Sequence, residues 1–279
     1  SYMYKKPLRS VVLVFGLLKS DQYRNWDTHS AYTLKPQRWE VGLFQPFRYG
    51  YSENLEISTH PLWFFILPNI AIKKPARDLL GHKVAKRFAG YYPTPLLNML
   101  SRSNIGGLID PNITMPPMVA ISGSIICSQE VKGFDYSLKA GFEIGQVFGE
   151  LDSRSNIDLP MVYHRLGVFF NGWGVYGGVD IQKEVLKNTK IHIDFDLRLL
   201  PGLSAKNKDR LFRMFGGEKS LEHKLLLIMS LSENIRFKTG YKLVAGDFPY
   251  GKDVRMLPYI PLIERWVPLI EVEWSGNVK

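Results

Sequence analysis

The segment FDYSLKAGFEIGQV, residues 134–147, alternates without a break as far as Gly145. Phe134, Tyr136, Leu138, Ala140, Phe142 and Ile144 fall on one parity; Asp135, Ser137, Lys139, Gly141, Glu143 and Gly145 fall on the other. Alternate side chains of a β-strand point to opposite faces, so period two is the signature of a strand. Here one face is apolar throughout and the other is charged, serine or glycine. A strand built this way must lie between two unlike media, and few folds provide them.

The pattern recurs along the chain. In KIHIDFDLRLLPG, Ile191, Ile193, Phe195, Leu197 and Leu199 oppose Lys190, His192, Asp194, Asp196 and Arg198. In NIRFKTGYKLVAGD, Ile235, Phe237, Tyr241 and Leu243 oppose Arg236, Lys238 and Lys242. Shorter runs of the same kind are RWEVGLF, NLEISTH and NGWGVYGGVDIQ. Turn-forming clusters at 51–54, 131–133, 187–189 and 232–234 separate the runs. Strands are predicted over 38–48, 53–61, 63–74, 82–92, 117–131, 133–148, 164–184, 189–200, 223–232, 234–247, 255–265 and 267–274. Longer connections fall near 93–116, 149–162, 201–221 and 247–254, and Leu96 to Leu100 suits a short helix.

Neither an internal repeat nor an interdomain linker stands out, so residues 30–279 read as one domain preceded by a segment at 1–29. In that segment Lys5, Lys6 and Arg9 precede the apolar run Val11 to Leu18, as in the first two parts of a secretory signal. No small-residue cleavage motif follows. The segment is read as a signal remnant or a periplasmic extension.

A soluble sandwich also alternates, but its strands average about five or six residues. Several runs here reach ten, and a tilted transmembrane strand needs about nine to eleven. No uninterrupted apolar stretch reaches the length of a transmembrane helix. The single Cys127 excludes a disulfide framework and a multi-cysteine metal site. The expectation is an all-β fold: one antiparallel transmembrane β-barrel of about twelve strands (10–14) in a bacterial outer membrane, lipid outside and a polar lumen within. Trp39, Trp63, Trp173, Trp266, Tyr91, Tyr92 and Tyr241 are candidates for aromatic girdles at the membrane interfaces.

The stretches RWEVGLFQPFRYGYSENLEISTHPLWFFILPNI, YYPTPLLNML and LEHKLLLIMSLSENIRFKTGYKLVAGDFPYG resemble an uncharacterised family of outer-membrane β-barrel proteins of Gram-negative bacteria, over residues 30 to 266. The resemblance implies the fold and the location. It carries no activity and no functional residues.

Net charge is +10. No long Lys/Arg block and no nucleic-acid-binding motif accompanies it, so nucleic acid is not an expected partner. The charge falls instead on the polar strand faces. Lys139, Glu143, Lys190, His192, Asp194, Asp196, Arg198, Arg236, Lys238 and Lys242 are the expected lumen residues. A ring or stripe of such charges sets ion selectivity in a pore, and the cations Lys139, Arg198, Arg236, Lys238 and Lys242 would favour anions. In a narrow barrel the same residues would pair across the lumen and plug it, leaving a structural anchor or a subunit of an envelope complex.

A third reading is an enzyme on lipid or lipopolysaccharide, with His60 or His164 as base; Ser58 with His60 and His164 with Asn171 are its polar pairs. His192, Asp194 and Asp196 share a face, but Lys190 and Arg198 flank them, so a compensated charge cluster is expected rather than a metal site. The glycines of NGWGVYGG lie within a strand rather than in a phosphate-cradling loop. No cofactor is expected; the expected partners are outer-membrane lipid, lipopolysaccharide and envelope proteins.

Overall fold

A computed structural model of the chain describes residues 28–43, 45–61, 64, 68–101, 112–152, 168–169, 172–201, 217–246 and 266–278. Twelve strands form one closed barrel: β1 (Arg38–Gly42), β2 (Phe47–Ser52), β3 (Leu55–Thr59), β4 (Asn69–Leu79), β5 (His82–Tyr91), β6 (Met118–Val131), β7 (Phe134–Val147), β8 (Trp173–Leu186), β9 (Thr189–Pro201), β10 (Gly217–Ser230), β11 (Ile235–Gly246) and β12 (Trp266–Asn277). Each strand pairs antiparallel with its sequence neighbours, and β12 closes on β1 from Arg38↔Asn277 to Gly42↔Glu273. A short helix, α1 (Thr94–Leu100), follows β5. The Asn98 side chain clamps the backbone of Met115 there, and Thr94 Oγ1 accepts from the Met118 amide.

The two ends of the barrel differ. At one end β2–β3, β4–β5, β6–β7, β8–β9 and β10–β11 are joined by a few residues. Leu80–Gly81 and Lys132–Gly133 both have positive φ, the conformation of a two-residue hairpin turn whose twist matches the strands. At the other end the connections after β5, β7, β9 and β11 are long. Even strand number, antiparallel meander, short turns at one end and long loops at the other define the bacterial outer-membrane barrel, whose short turns face the periplasm.

Polarity is inverted relative to a water-soluble domain. Charged side chains such as Arg48 (2 % exposed), Lys73, Asp180, Asp194 (1 %) and Glu222 are buried in the interior. Ile121, Ile125, Leu138, Phe142, Ile144, Leu197 and Ile270 stand exposed on the outer surface. Only a hydrocarbon surround makes that arrangement favourable, since each buried charge needs a partner and each exposed apolar side chain loses its hydrophobic gain in water. The chain is an outer-membrane β-barrel.

Several strand ends differ from expectation. The stretch 38–48 is two strands, because Pro46 cannot donate to a ladder and the Gln45 amide turns inward to Glu271 Oε1 at 2.9 Å. β4 runs on to Leu79, β10 begins at Gly217, and β8 begins at Trp173 behind Gly172, whose φ is +86°. The predicted strand at 255–265 lies outside the described residues, as do residues 1–27. Of the girdle candidates, Trp173 is exposed on the outside, whereas Tyr91 turns inward and lines the lumen. Trp63 is outside the described residues.

Leu138 lies near the middle of β7 on the outer face, 55 % exposed. Leu138→Arg is expected to destabilise the barrel by about 2–4 kcal/mol, the cost of a cation near the bilayer midplane. Urea titration of the protein folded in lipid vesicles checks it; an unchanged midpoint would contradict the placement of this face.

Candidate functional site: the charged lumen

Cross-strand register stacks the inner-face residues into rungs. One reads Lys83–Ser128–Ser137–Asp180–Asp194 across β5 to β9. The next toward the long loops reads Ala85–Ile126–Lys139–Gly178–Asp196, and the next Arg87–Ser124–Gly141–Tyr176–Arg198. Glycine in these rungs makes room for a neighbour. A Cβ at Gly178 would collide with the Asp196 carboxylate, which lies across it toward Lys139.

The charges are organised as a network. Lys139 bridges Asp194 and Asp196, each at 2.8 Å, and Lys224 holds the second oxygen of Asp194 at 2.6 Å. Arg48 joins Glu40 and Glu56, both at 2.9 Å, and Lys73 meets Glu56 at 3.3 Å. Lys242 pairs with Glu222 at 2.8 Å, Lys238 with Glu273, Arg198 with Glu143 at 3.4 Å, and Lys190 with Asp135 at 3.5 Å. His192 meets Asp180 at 2.5 Å. Burial of a charge is tolerable only with such compensation, and the wall supplies it from neighbouring strands.

A cavity of about 310 Å³ remains inside. Lys139, Glu143, His192, Asp196, Arg198, Arg236, Lys238 and Lys242 line it. Asp194 is buried behind Lys139, and Lys190 lies nearer the short-turn end beside Asp135. Arg87, Ser122, Ser124, Tyr176 and Glu271 also line the cavity, although nothing in the sequence singled them out, and Tyr91, expected in a girdle, lines it too. Arg87 shares parity with Ala85 and Ala89, but Lys86 on the opposite face obscures the alternation. Tyr176 shares parity with Gly174 and Gly178, as its inward position requires.

The lumen also contains part of the chain itself. Residues 28–37 precede β1; those up to Leu34 run inside the barrel, and the exposed residues 35–37 lead from its end into β1. The Ala31 amide donates to Ser128 Oγ at 2.8 Å and the Leu34 amide to Glu56 Oε2 at 2.9 Å. Lys73 Nζ donates to the carbonyls of Tyr32 at 2.7 Å and Ser30 at 3.3 Å. Ala31 packs on Ala85 and Ile126, and Leu34 is 1 % exposed. Gly50 lets the chain enter, since a Cβ there would collide with the Lys35 carbonyl. The expected domain boundary at 29/30 falls within this inserted stretch.

Other chemistries find less. Ser58 and His60 both line the cavity, while the His60 amide is bound by Asn69 Oδ1 at 2.8 Å. His164 and Asn171 lie outside the described residues. The residues that come within metal-ligand range are His29, Asp180 and Asp194, with ligand atoms within 4.8 Å of one another, rather than His192, Asp194 and Asp196. The ammonium groups of Lys139 and Lys224 already occupy Asp194.

No protein-family model matches the chain, and no curated protein matches it. Among solved structures it is similar to the outer-membrane expressed OmpT of Vibrio cholerae, at 7 % identity and a TM-score of 0.40 over 85 % of this chain and 64 % of that one. It is similar to OccAB1 of Acinetobacter baumannii at 10 % identity and 0.39, over 86 % and 57 %. For the outer membrane protein OprD of Pseudomonas aeruginosa the values are 10 % and 0.38, over 84 % and 58 %. The chain therefore spans about three fifths of the length of these structures.

Asp194 is the hub of the network. Asp194→Asn leaves two buried ammonium groups around a neutral amide, and a loss of about 3 kcal/mol of stability is expected. A double-mutant cycle with Lys224→Met, read by urea unfolding, should recover part of that loss; strictly additive effects would contradict the pairing.

Proposed function

We propose that the chain is a narrow, gated pore of the outer membrane for small hydrophilic solutes, with a slight preference for anions, and that residues 28–37 are its gate. The observation that carries the reading is the seating of that segment inside the lumen. Its backbone is held by hydrogen bonds to Glu56, Lys73 and Ser128, and Ala31 packs on Ala85 and Ile126. Contacts of that size are broken far more easily than the strand ladder around them. A barrel of twelve strands from which the segment is withdrawn leaves a charged, water-filled channel.

The anion preference is assigned to Lys139, Arg198, Arg236, Lys238 and Lys242. It is slight because Asp194, Asp196, Glu143, Glu222 and Glu273 stand beside cations of this set. The outer belt is assigned to lipid and lipopolysaccharide, and the likeness to an uncharacterised Gram-negative barrel family belongs to this reading too. A second reading, a closed barrel that anchors an envelope complex, draws support from the density of cross-strand ion pairs, which stiffens the lumen.

A disulfide separates the two. Ala31→Cys with Ser128→Cys, in a Cys127→Ser background, ties the segment to the wall where the Ala31 amide meets the Ser128 hydroxyl. In planar bilayers the reduced protein should open stepwise, with a reversal potential of anionic sign in a salt gradient, and oxidation should abolish the openings. Equal conductance in both states would overturn the gate. Silence in both, with insertion shown by heat-modifiable migration, would favour the anchor.

A further inference from the structure

The rung Arg87–Ser124–Gly141–Tyr176–Arg198 differs from its neighbours. Its central positions are small, and its ends carry the two guanidinium groups. Tyr176 does not stand up from the wall but lies over Gly141. A Cβ at 141 would sit 2.6 Å from Tyr176 Cζ and 2.8 Å from Ser124 Cβ. Arg198 follows the ring, its guanidinium carbon 4.8 Å from the Tyr176 centroid. The stack thus leans from β9 toward β6, and Arg87 faces it from β5, hydrogen-bonded to Tyr91. Between them Ser124 forms a saddle that opens into the cavity, with Ser122 beside it on the same face of β6.

The charge at this rung is incompletely answered. Among the described residues Arg198 has one carboxylate within ion-pair distance, a long contact of 3.4 Å from Nη1 to Glu143, with Glu222 and Asp196 farther off, and its Nε is buried without a hydrogen-bond partner. Arg87 enters no ion pair among the described residues. Elsewhere in the lumen, cations such as Lys139, Lys224 and Lys242 meet carboxylates at 2.6–2.8 Å. A buried guanidinium nitrogen without an acceptor is costly, and planar oxyanions are the groups that match its geometry.

We propose that Arg87 and Arg198, with the hydroxyls of Ser122 and Ser124, form an oxyanion subsite on the lumen wall that binds the carboxylate or phosphate of a small solute. The cavity of about 310 Å³ lies at the low end of small-molecule sites. Tyr176 supplies a rigid floor, and Glu143 serves as the weak internal counter-ion that an incoming anion displaces. Along β5, Arg87 lies two residues farther from the short turns than Ala85, on which the inserted segment packs, so the subsite sits above that contact. The inference gives the proposed pore its class of solute. Binding itself does not require conduction.

Calorimetry of the full-length protein in detergent tests it, with succinate, inorganic phosphate and neutral succinamide as probes. Succinate or phosphate should bind and succinamide should not; the tighter of the two anions tells a carboxylate from a phosphate site. Arg87→Gln and Arg198→Gln should each weaken binding about tenfold or more, the scale of a lost charge-assisted contact. Ser124→Asp places a carboxylate in the saddle and should abolish binding while the barrel still shows heat-modifiable migration. Equal binding by the Ser124→Asp and wild-type proteins, or binding of neither anion by folded wild-type protein, would overturn the subsite. Loss of anion binding with the disulfide-controlled conductance intact would sink this inference alone, whereas binding in a protein that never conducts would sink the pore reading alone.

Discussion

Backbone hydrogen bonding without water is the constraint from which the rest of this molecule follows. In hydrocarbon every amide and carbonyl must find a partner within the protein, and a sheet can meet that demand only by having no edges. The pairing of β12 with β1 supplies the last seam. Once the sheet is closed, period two in the sequence has one meaning: odd and even positions face different solvents. Apolar residues go to lipid, and the remainder are turned onto one another in a confined interior.

That confinement explains the lumen. Charges that would scatter over a soluble surface are forced within reach of their neighbours, and register decides which meet. Asp194, Asp196, Lys139 and Lys224 come from three strands and form one network because rungs bring them level. The inserted segment uses the same wall. Glu56 pairs with Arg48 and Lys73 and also accepts the Leu34 amide, so the seat of the segment and the ion pairs share one carboxylate. Loosening one affects the other, which would give the proposed gate a physical route from lumen chemistry to opening.

Much of the wall was legible in the sequence because alternation is local. Residues 134–147 and 189–200 carry their two faces in plain view, and the turns at 131–133 and 187–189 are marked by Gly and Asn at positions that need positive φ. Strand ends were less legible. The break at 43–46 depends on the Gln45 amide reaching Glu271, a residue 226 positions away. The inward turn of Tyr176 depends on space over Gly141, on a different strand. Residues 28–37 carry no alternation at all, and their place in the lumen is set by Ser128, Glu56 and Lys73, none of which is near them in the chain. Signals of this kind exist only after the strands have been brought into register.

The most direct measurement is a cysteine scan of β7, residues 136–144, with a nitroxide at each position in turn and the protein folded in lipid vesicles lacking native Cys127. Accessibility to oxygen, which concentrates in hydrocarbon, is compared with accessibility to a water-soluble nickel chelate. Oxygen accessibility should peak at 136, 138, 140, 142 and 144 and fall at 137, 139, 141 and 143, where the chelate should be favoured or both reagents excluded. A flat profile, or one with the two parities exchanged, would contradict the inverted polarity on which the lumen, the proposed gate and the proposed anion subsite all depend.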